Sequence, residues 1–270
     1  MAEKQKELEG RWGIVTGASG GIGYEFCKVL AEKGCNLIMA AIEDTLLENK
    51  AQEIKDTYGI KAIPLTIDLT EEESASRIMA LMEARGITPY ILINNAGVFT
   101  FSPVIEHSDR KIDRFIDLHI RATTLLCRET AERMKQRGEG RILNMSSMSC
   151  WMPMPGIAMY SSTKAYIRVF TRALHYELKD YGVTATVACP GGIATDLFGL
   201  PANLQKLAVS LGVLAKPDKF ARKAVKKMLK GKKQYINGLL NRFSIFFVSV
   251  MPTPVRMMVK RRMLDRGIRV

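Results

Sequence analysis

Short, uninterrupted apolar runs alternate with longer amphipathic ones along most of this chain, and that alternation restricts the fold more than any other feature. "RWGIVTG" (11–17), "CNLIMAAI" (35–42), "KAIPLTIDLT" (61–70), "YILINNAG" (90–97), "GRILNMSS" (140–147) and "GVTATVACPGG" (182–192) read as strands. Between them, 21–34, 44–59, 71–86, about 109–137 and 157–181 carry apolar residues at helical spacing. Strands that are apolar throughout are buried on both faces, so the sheet is expected to be mostly parallel. The fold class is therefore α/β: a doubly wound, mostly parallel sheet with helices on both faces, in a single domain. Asp44 and Thr70 are candidate helix caps, and Gly34 is placed to end the first helix. Residues 218–231 read as a further helix and 233–238 as an edge strand.

The termini add less. Residues 1–10 form a charged extension without an apolar signal core. No apolar run approaches the roughly 20 residues that cross a bilayer. The five cysteines and three histidines show no ligand spacing. Neither a disulfide framework nor a metal site is expected, and a reducing cytoplasm is. The net charge of +13 is unevenly placed. Residues 216–270 hold 16 basic and 2 acidic groups, whereas the first 215 are close to neutral. Basicity confined to a tail argues against nucleic acid as a partner. The tail, 239–270, joins an apolar stretch to a basic end at Lys260, Arg261 and Arg262. Peripheral contact with a membrane is one expectation for it. Packing on a second subunit or over a substrate pocket is the other.

"TGASGGIG" (16–23) lies between the first strand and the first helix. Its glycines let a pyrophosphate approach the helix N-terminus, where free N–H groups and the helix dipole stabilise negative charge. Further on, Tyr160 and Lys164 are one helical turn apart and share a face. A cation beside a phenol favours the phenolate, so the pair reads as a tuned acid/base.

Taken in order, TGxxxGIG, "NNAG" (94–97), Tyr160-x-x-x-Lys164 and "PGG" (190–192) resemble the short-chain dehydrogenase/reductases, from about Arg11 to Tyr235. The resemblance implies a Rossmann-like catalytic domain over 11–238, with a substrate flap at about 193–215. It implies that Gly17, Ser19, Gly21, Ile22 and Gly23 surround the pyrophosphate and adenosine ribose. Asp68 and Leu69 would lie along the adenine, and Asn95, Ala96 and Gly97 behind the riboses. Pro190, Gly191, Ile193 and Thr195 would contact the nicotinamide. An asparagine of "NNAG" can equally tie neighbouring strands together. Catalysis would fall to Ser147, steadying the substrate oxygen, and to Tyr160, with Lys164 also holding the nicotinamide ribose. His119 stands where the family usually has a catalytic asparagine. It either carries the proton relay or only packs at a helix kink.

Position 41, where an acid would select NAD(H), is alanine, so NADP(H) is expected in preference to NAD(H). The arginine that often follows in NADP-preferring members is replaced by Ile42. The apolar flap and Trp151, Met152 and Met154 suggest a hydrophobic small-molecule substrate. A ketone and a secondary alcohol would be interconverted on a lipid, sterol or acyl thioester. The resemblance also implies a homodimer or homotetramer through 109–137 and 157–181. The alternative from another class is a non-catalytic dinucleotide sensor or membrane scaffold on the same fold. Epimerisation or dehydration with the same residues is a third reading.

Overall fold

The computed structural model describes residues 6–193 and 214–264. The elements, in order, are β1 (Trp12–Thr16), α1 (Gly21–Glu32), β2 (Asn36–Ala41), α2 (Asp44–Tyr58), β3 (Ala62–Thr66), α3 (Ser74–Ala84) and β4 (Pro89–Asn94). Then come α4 (Asp109–Ile116), a π-helical turn (Asp117–Ala122), α5 (Thr123–Arg137), β5 (Gly140–Met145), a 3₁₀ turn (Met148–Trp151), α6 (Ala158–Glu177) and β6 (Val183–Cys189). α7 (Pro217–Leu229), β7 (Gln234–Ile236), α8 (Leu239–Ser249) and α9 (Thr253–Val259) complete the described chain, with a last turn at Lys260–Leu264. Seven parallel strands form one sheet in the order β3-β2-β1-β4-β5-β6-β7.

The strands are apolar throughout because alternate residues feed two different cores. Ile14, Ile38, Leu92 and Ile142 face the side covered by α3, α5 and α6, where Ile78, Leu126 and Leu174 pack. Val15, Met39, Ile93 and Leu143 face the other side, against Phe26 of α1, Leu47 of α2 and Phe220 of α7. Each such side chain contributes about 1.5–3 kcal/mol when buried.

Gly34 has φ +85°, the left-handed turn expected after α1. The two cap expectations do not hold. Glu73 occupies the N-cap of α3 and Glu43 that of α2, neither with a side-chain cap bond. Asp44 is the first residue of α2 and accepts from Thr66 Oγ1 at 2.7 Å. Thr70 gives its hydroxyl to Asp68 at 2.8 Å. Each of the two side chains instead bonds to a neighbour at a strand end or in a loop. The long helix expected over 109–137 is divided by the π turn, and 157–181 ends in a 3₁₀ turn from Lys179.

Candidate active site

Strand order reverses at β1, which has β2 on one side and β4 on the other, so a crevice opens at their carboxyl ends. Thr16 sits at the end of β1 and joins the two strands: its Oγ1 accepts from the N–H groups of Asn95 and Ala96, each at 3.0 Å. Asn95 answers through Nδ2, donating to the carbonyls of Thr16 (3.0 Å) and Gly17 (3.3 Å). The neighbouring Asn94 points inward and ties β4 to β5 through Asn144 Oδ1 at 2.8 Å. The two asparagines of one motif thus divide between cleft wall and strand tie.

A cleft of about 480 Å³ runs along this edge. One end is walled by Gly17, Ser19, Gly21 and Ile22 at the start of α1, and the middle by Asn95, Ala96 and Gly97. The other end holds Ser147, Tyr160, Lys164, Pro190, Gly191 and Ile193. Gly23 is not in the wall. A Cβ there would collide with the Gly17 carbonyl, so its bareness lets α1 close on the loop. A Cβ at Gly20 would meet nothing within 4 Å, which leaves the helix N-terminus open to an anion. Thr195 and most of the expected flap lie outside the described residues.

A side branch of about 210 Å³ passes Ala40, Ala41, Ile42, Ile67 and Leu69, an apolar slot of the right kind for adenine. Leu69 lines it. Asp68 is not among the lining residues; its Oδ1 accepts from the N–H (2.9 Å) and the hydroxyl (2.8 Å) of Thr70. Two charged residues that the motifs did not single out also line the branch, Glu43 and Arg114. Glu43 is two residues past Ala41 and could be found by counting. Arg114 comes from α4, far along the chain, and no local pattern marks it. The branch is therefore lined by one charged residue of each sign. Slot, glycine turn and helix N-terminus together fit a nicotinamide dinucleotide.

At the far end, β5 leads into Ser147, whose Oγ accepts from Ser149 N–H at 3.1 Å. Helix α6 carries Tyr160 and Lys164 on its buried face. The phenol is pushed up to about 12 by burial, opposed by its hydrogen bond with Ser147. Lys164 is pushed down to about 8, also by burial. Its Nζ donates to the Met145 carbonyl at 3.0 Å and lies 5.7 Å from the Tyr160 ring centroid. In this arrangement the lysine does not draw the phenol's pKa below its ordinary value.

His119 lies in the π turn, fully buried. Val98 N–H donates to its Nε2 at 3.0 Å, so the proton is on Nδ1, which donates to Thr163 Oγ1 at 2.9 Å. Thr163 Oγ1 in turn donates to the Tyr160 carbonyl at 3.0 Å. Burial, then the charge of Lys164, hold the ring neutral, far below the usual histidine range. Its edge meets the Tyr160 ring at 6.0 Å. The imidazole connects the Gly97–Val98 wall to α6.

Known proteins bear on this geometry. The profile of the family described as short chain dehydrogenase matches residues 11–202. The chain is 30% identical over 250 residues to a very-long-chain 3-oxoacyl-CoA reductase of Anas platyrhynchos, spanning 90% of this chain and 77% of that protein. A solved 7β-hydroxysteroid dehydrogenase superposes with a TM-score of 0.83 at 25% identity, over 93% of this chain and 97% of that one. A short-chain dehydrogenase of Sphingobium yanoikuyae, solved with NADPH, gives a TM-score of 0.77 at 26% identity, over 87% and 91% of the two chains. Sequence profile, fold and the arrangement of the cleft agree, and the chain belongs to the short-chain dehydrogenase/reductase family.

Proposed function

We propose that this oxidoreductase interconverts a ketone and a secondary alcohol on an apolar small molecule, with NADP(H) preferred. The observation that carries the reading is one cleft lined at one end by the glycine turn and at the other by Ser147, Tyr160 and Lys164. The bound nicotinamide supplies or accepts the hydride. Ser147 holds the substrate oxygen by its hydroxyl. Tyr160, hydrogen-bonded to Ser147, gives that oxygen a proton in reduction and removes it in oxidation. A phenol pushed up to about 12 keeps its proton at neutral pH, which suits the acid role in reduction. Lys164, buried beside the cleft, would hold the nicotinamide ribose. His119 acts by position. Both its nitrogens are engaged, so a relay through the ring requires one of those bonds to open.

NADP(H) is favoured by the absence of an acid at Ala41 and by Arg114 in the adenine branch, with Glu43 opposing. An apolar substrate is supported by Trp151, Met152 and Met154 just beyond Ser147, and by relatives named for fatty-acyl and steroid substrates. Assembly through α4, α5 and α6 belongs to the same reading. Ile116 and Val169, 41% and 62% exposed, are apolar residues on α4 and α6 that a partner would cover.

The test is oxidation of NADPH and NADH against 3-ketosteroids, 3-ketosphinganine and 3-oxoacyl thioesters, with Tyr160→Phe beside the wild type. Turnover that the variant loses supports the reading. Tight cofactor binding without turnover on any ketone points to the sensor or scaffold alternative.

A further inference from the structure

Helix α8 presents Phe243, Phe246 and Phe247 at 70%, 67% and 69% exposure, and Val250, the residue that follows it, is 59% exposed. Their spacing is i, i+3, i+4, i+7, so they form one stripe on one face. Beyond the turn, Val255, Met257 and Met258 of α9 are also exposed, at 37%, 39% and 45%. Soluble monomers rarely leave such a contiguous apolar surface uncovered. The same segment, 239–264, holds five basic residues and no acidic one: Arg242, Arg256, Lys260, Arg261 and Arg262. Arg261 and Arg262 border a surface hollow of about 580 Å³ together with Met257 and Met258. No described helix is long and apolar enough to cross a membrane.

The segment is tied to the catalytic end of the cleft. Asn241, in the first turn of α8, donates to the Asn237 carbonyl at 2.8 Å, and Asn237 Oδ1 in turn accepts from Gly191 N–H at 2.8 Å. Gly191 is part of the cleft wall. α8 also packs on the 3₁₀ turn that follows Ser147. At the other end, Leu264 reaches Gly156, where a Cβ would come within 3.1 Å of its Cδ2.

We propose that α8 and α9 form an interfacial docking surface for an anionic lipid bilayer. The aromatic stripe enters the headgroup boundary, and the cations meet lipid phosphates and carboxylates. Charge decides the occupant. A second copy laid on this same face would bring its own five cations against these five, whereas an anionic bilayer complements them. The proposal deepens the reading of an apolar substrate, since docking beside Gly191 gives a membrane-dissolved ketone a short path to the cleft. It is nonetheless tested without substrate or cofactor, so its failure and the failure of the catalytic reading are separate results.

The experiment is sedimentation of the full chain with phosphatidylcholine vesicles, with or without phosphatidylserine, at low and high salt. Binding is expected only to the phosphatidylserine vesicles, and it is expected to weaken with salt. Arg261→Gln should weaken partition roughly fivefold, the size of one cation near an anionic surface. A Phe243→Ser/Phe246→Ser/Phe247→Ser variant should lose binding while keeping the wild-type circular dichroism spectrum, because these side chains are exposed. Phe246→Trp offers a second readout, a blue shift of its emission on adding the same vesicles. No sedimentation at low salt overturns the proposal. So does a wild-type chain that binds no vesicles but falls to a smaller oligomer in the triple-serine variant, which would give the stripe to a second copy. Equal binding to phosphatidylcholine alone would overturn the role of charge.

Discussion

The ammonium of Lys164 donates to the Met145 carbonyl at 3.0 Å, at the last residue of β5, and meets Tyr160 only over the face of its ring. Helix α6 is thereby fastened to β5, the strand that precedes Ser147. The cost is a fully buried cation whose pKa falls to about 8.

That cost should be visible in stability. An ordinary lysine titrates near 10.4, so below about pH 8 the folded protein carries the full penalty of a buried charge, roughly 3 kcal/mol. Between about 8 and 10.4 the unfolded chain binds the extra proton, so stability contributed at this site rises with pH. Lys164→Met should therefore raise the melting temperature at neutral pH by several degrees while abolishing turnover. The gain should shrink as pH climbs through that window. Thermal melts from pH 6 to 10 check both halves, and an unchanged or lowered melting temperature at pH 7 would count against the buried charge.

Deprotonation of the same lysine should limit catalysis. Carbonyl reduction is expected to fall as pH rises through about 8, with the free protein's profile read from kcat/KM. Tyr160→Phe should lower kcat about a hundredfold to ten-thousandfold, the range for a general acid, with cofactor affinity nearly kept. Ser147→Ala should lose about a hundredfold, because one donor to the developing oxyanion is removed. Single-turnover reduction and cofactor titration separate the two effects.

Arg114 and Glu43 should pull cofactor choice in opposite directions. Arg114→Ala is expected to weaken NADPH about tenfold and leave NADH nearly unchanged, since a charge-assisted bond to phosphate contributes about 1.5–3 kcal/mol. Glu43→Gln should favour NADPH instead. Equal effects on both cofactors in Arg114→Ala would remove it from 2′-phosphate recognition.

His119→Ala leaves the Val98 N–H and Thr163 without their ring partner. An unsatisfied buried donor costs about 1–3 kcal/mol, so the melting temperature should drop by several degrees and kcat by roughly tenfold. The pH profile should not move, because a ring held neutral far below its ordinary value does not titrate in the working range. A displaced profile would instead place proton transfer on the imidazole.

Much of this was legible in one dimension because its causes are local or periodic. The strand-helix alternation follows from burial of both sheet faces, so Ile14 and Val15 could be read as strand residues before it was known that they serve different cores. The glycine turn and the Tyr160–Lys164 spacing are short-range geometry, and both ends lie in one cleft. The short edge strand near 233–238 was likewise readable. The sequence said less where side chains chose among competing partners. Asp44 and Thr70 look like caps, yet each has a nearer partner across a loop or strand end. Asp68 also bonds to a near neighbour, its Oδ1 accepting from the N–H and hydroxyl of Thr70. Arg114 reaches the adenine branch only because α4 folds over it. By itself, then, the sequence determined the layers, the strand positions and the family, since periodicity and fixed spacing need no knowledge of distant neighbours. Tertiary structure alone decided the direction in which Lys164, Tyr160 and His119 are shifted, the presence of Glu43 and Arg114 along one branch of the cleft, and the exposure of the phenylalanine stripe. Burial, charge and hydrogen-bond competition depend on residues that the fold brings together from far along the chain.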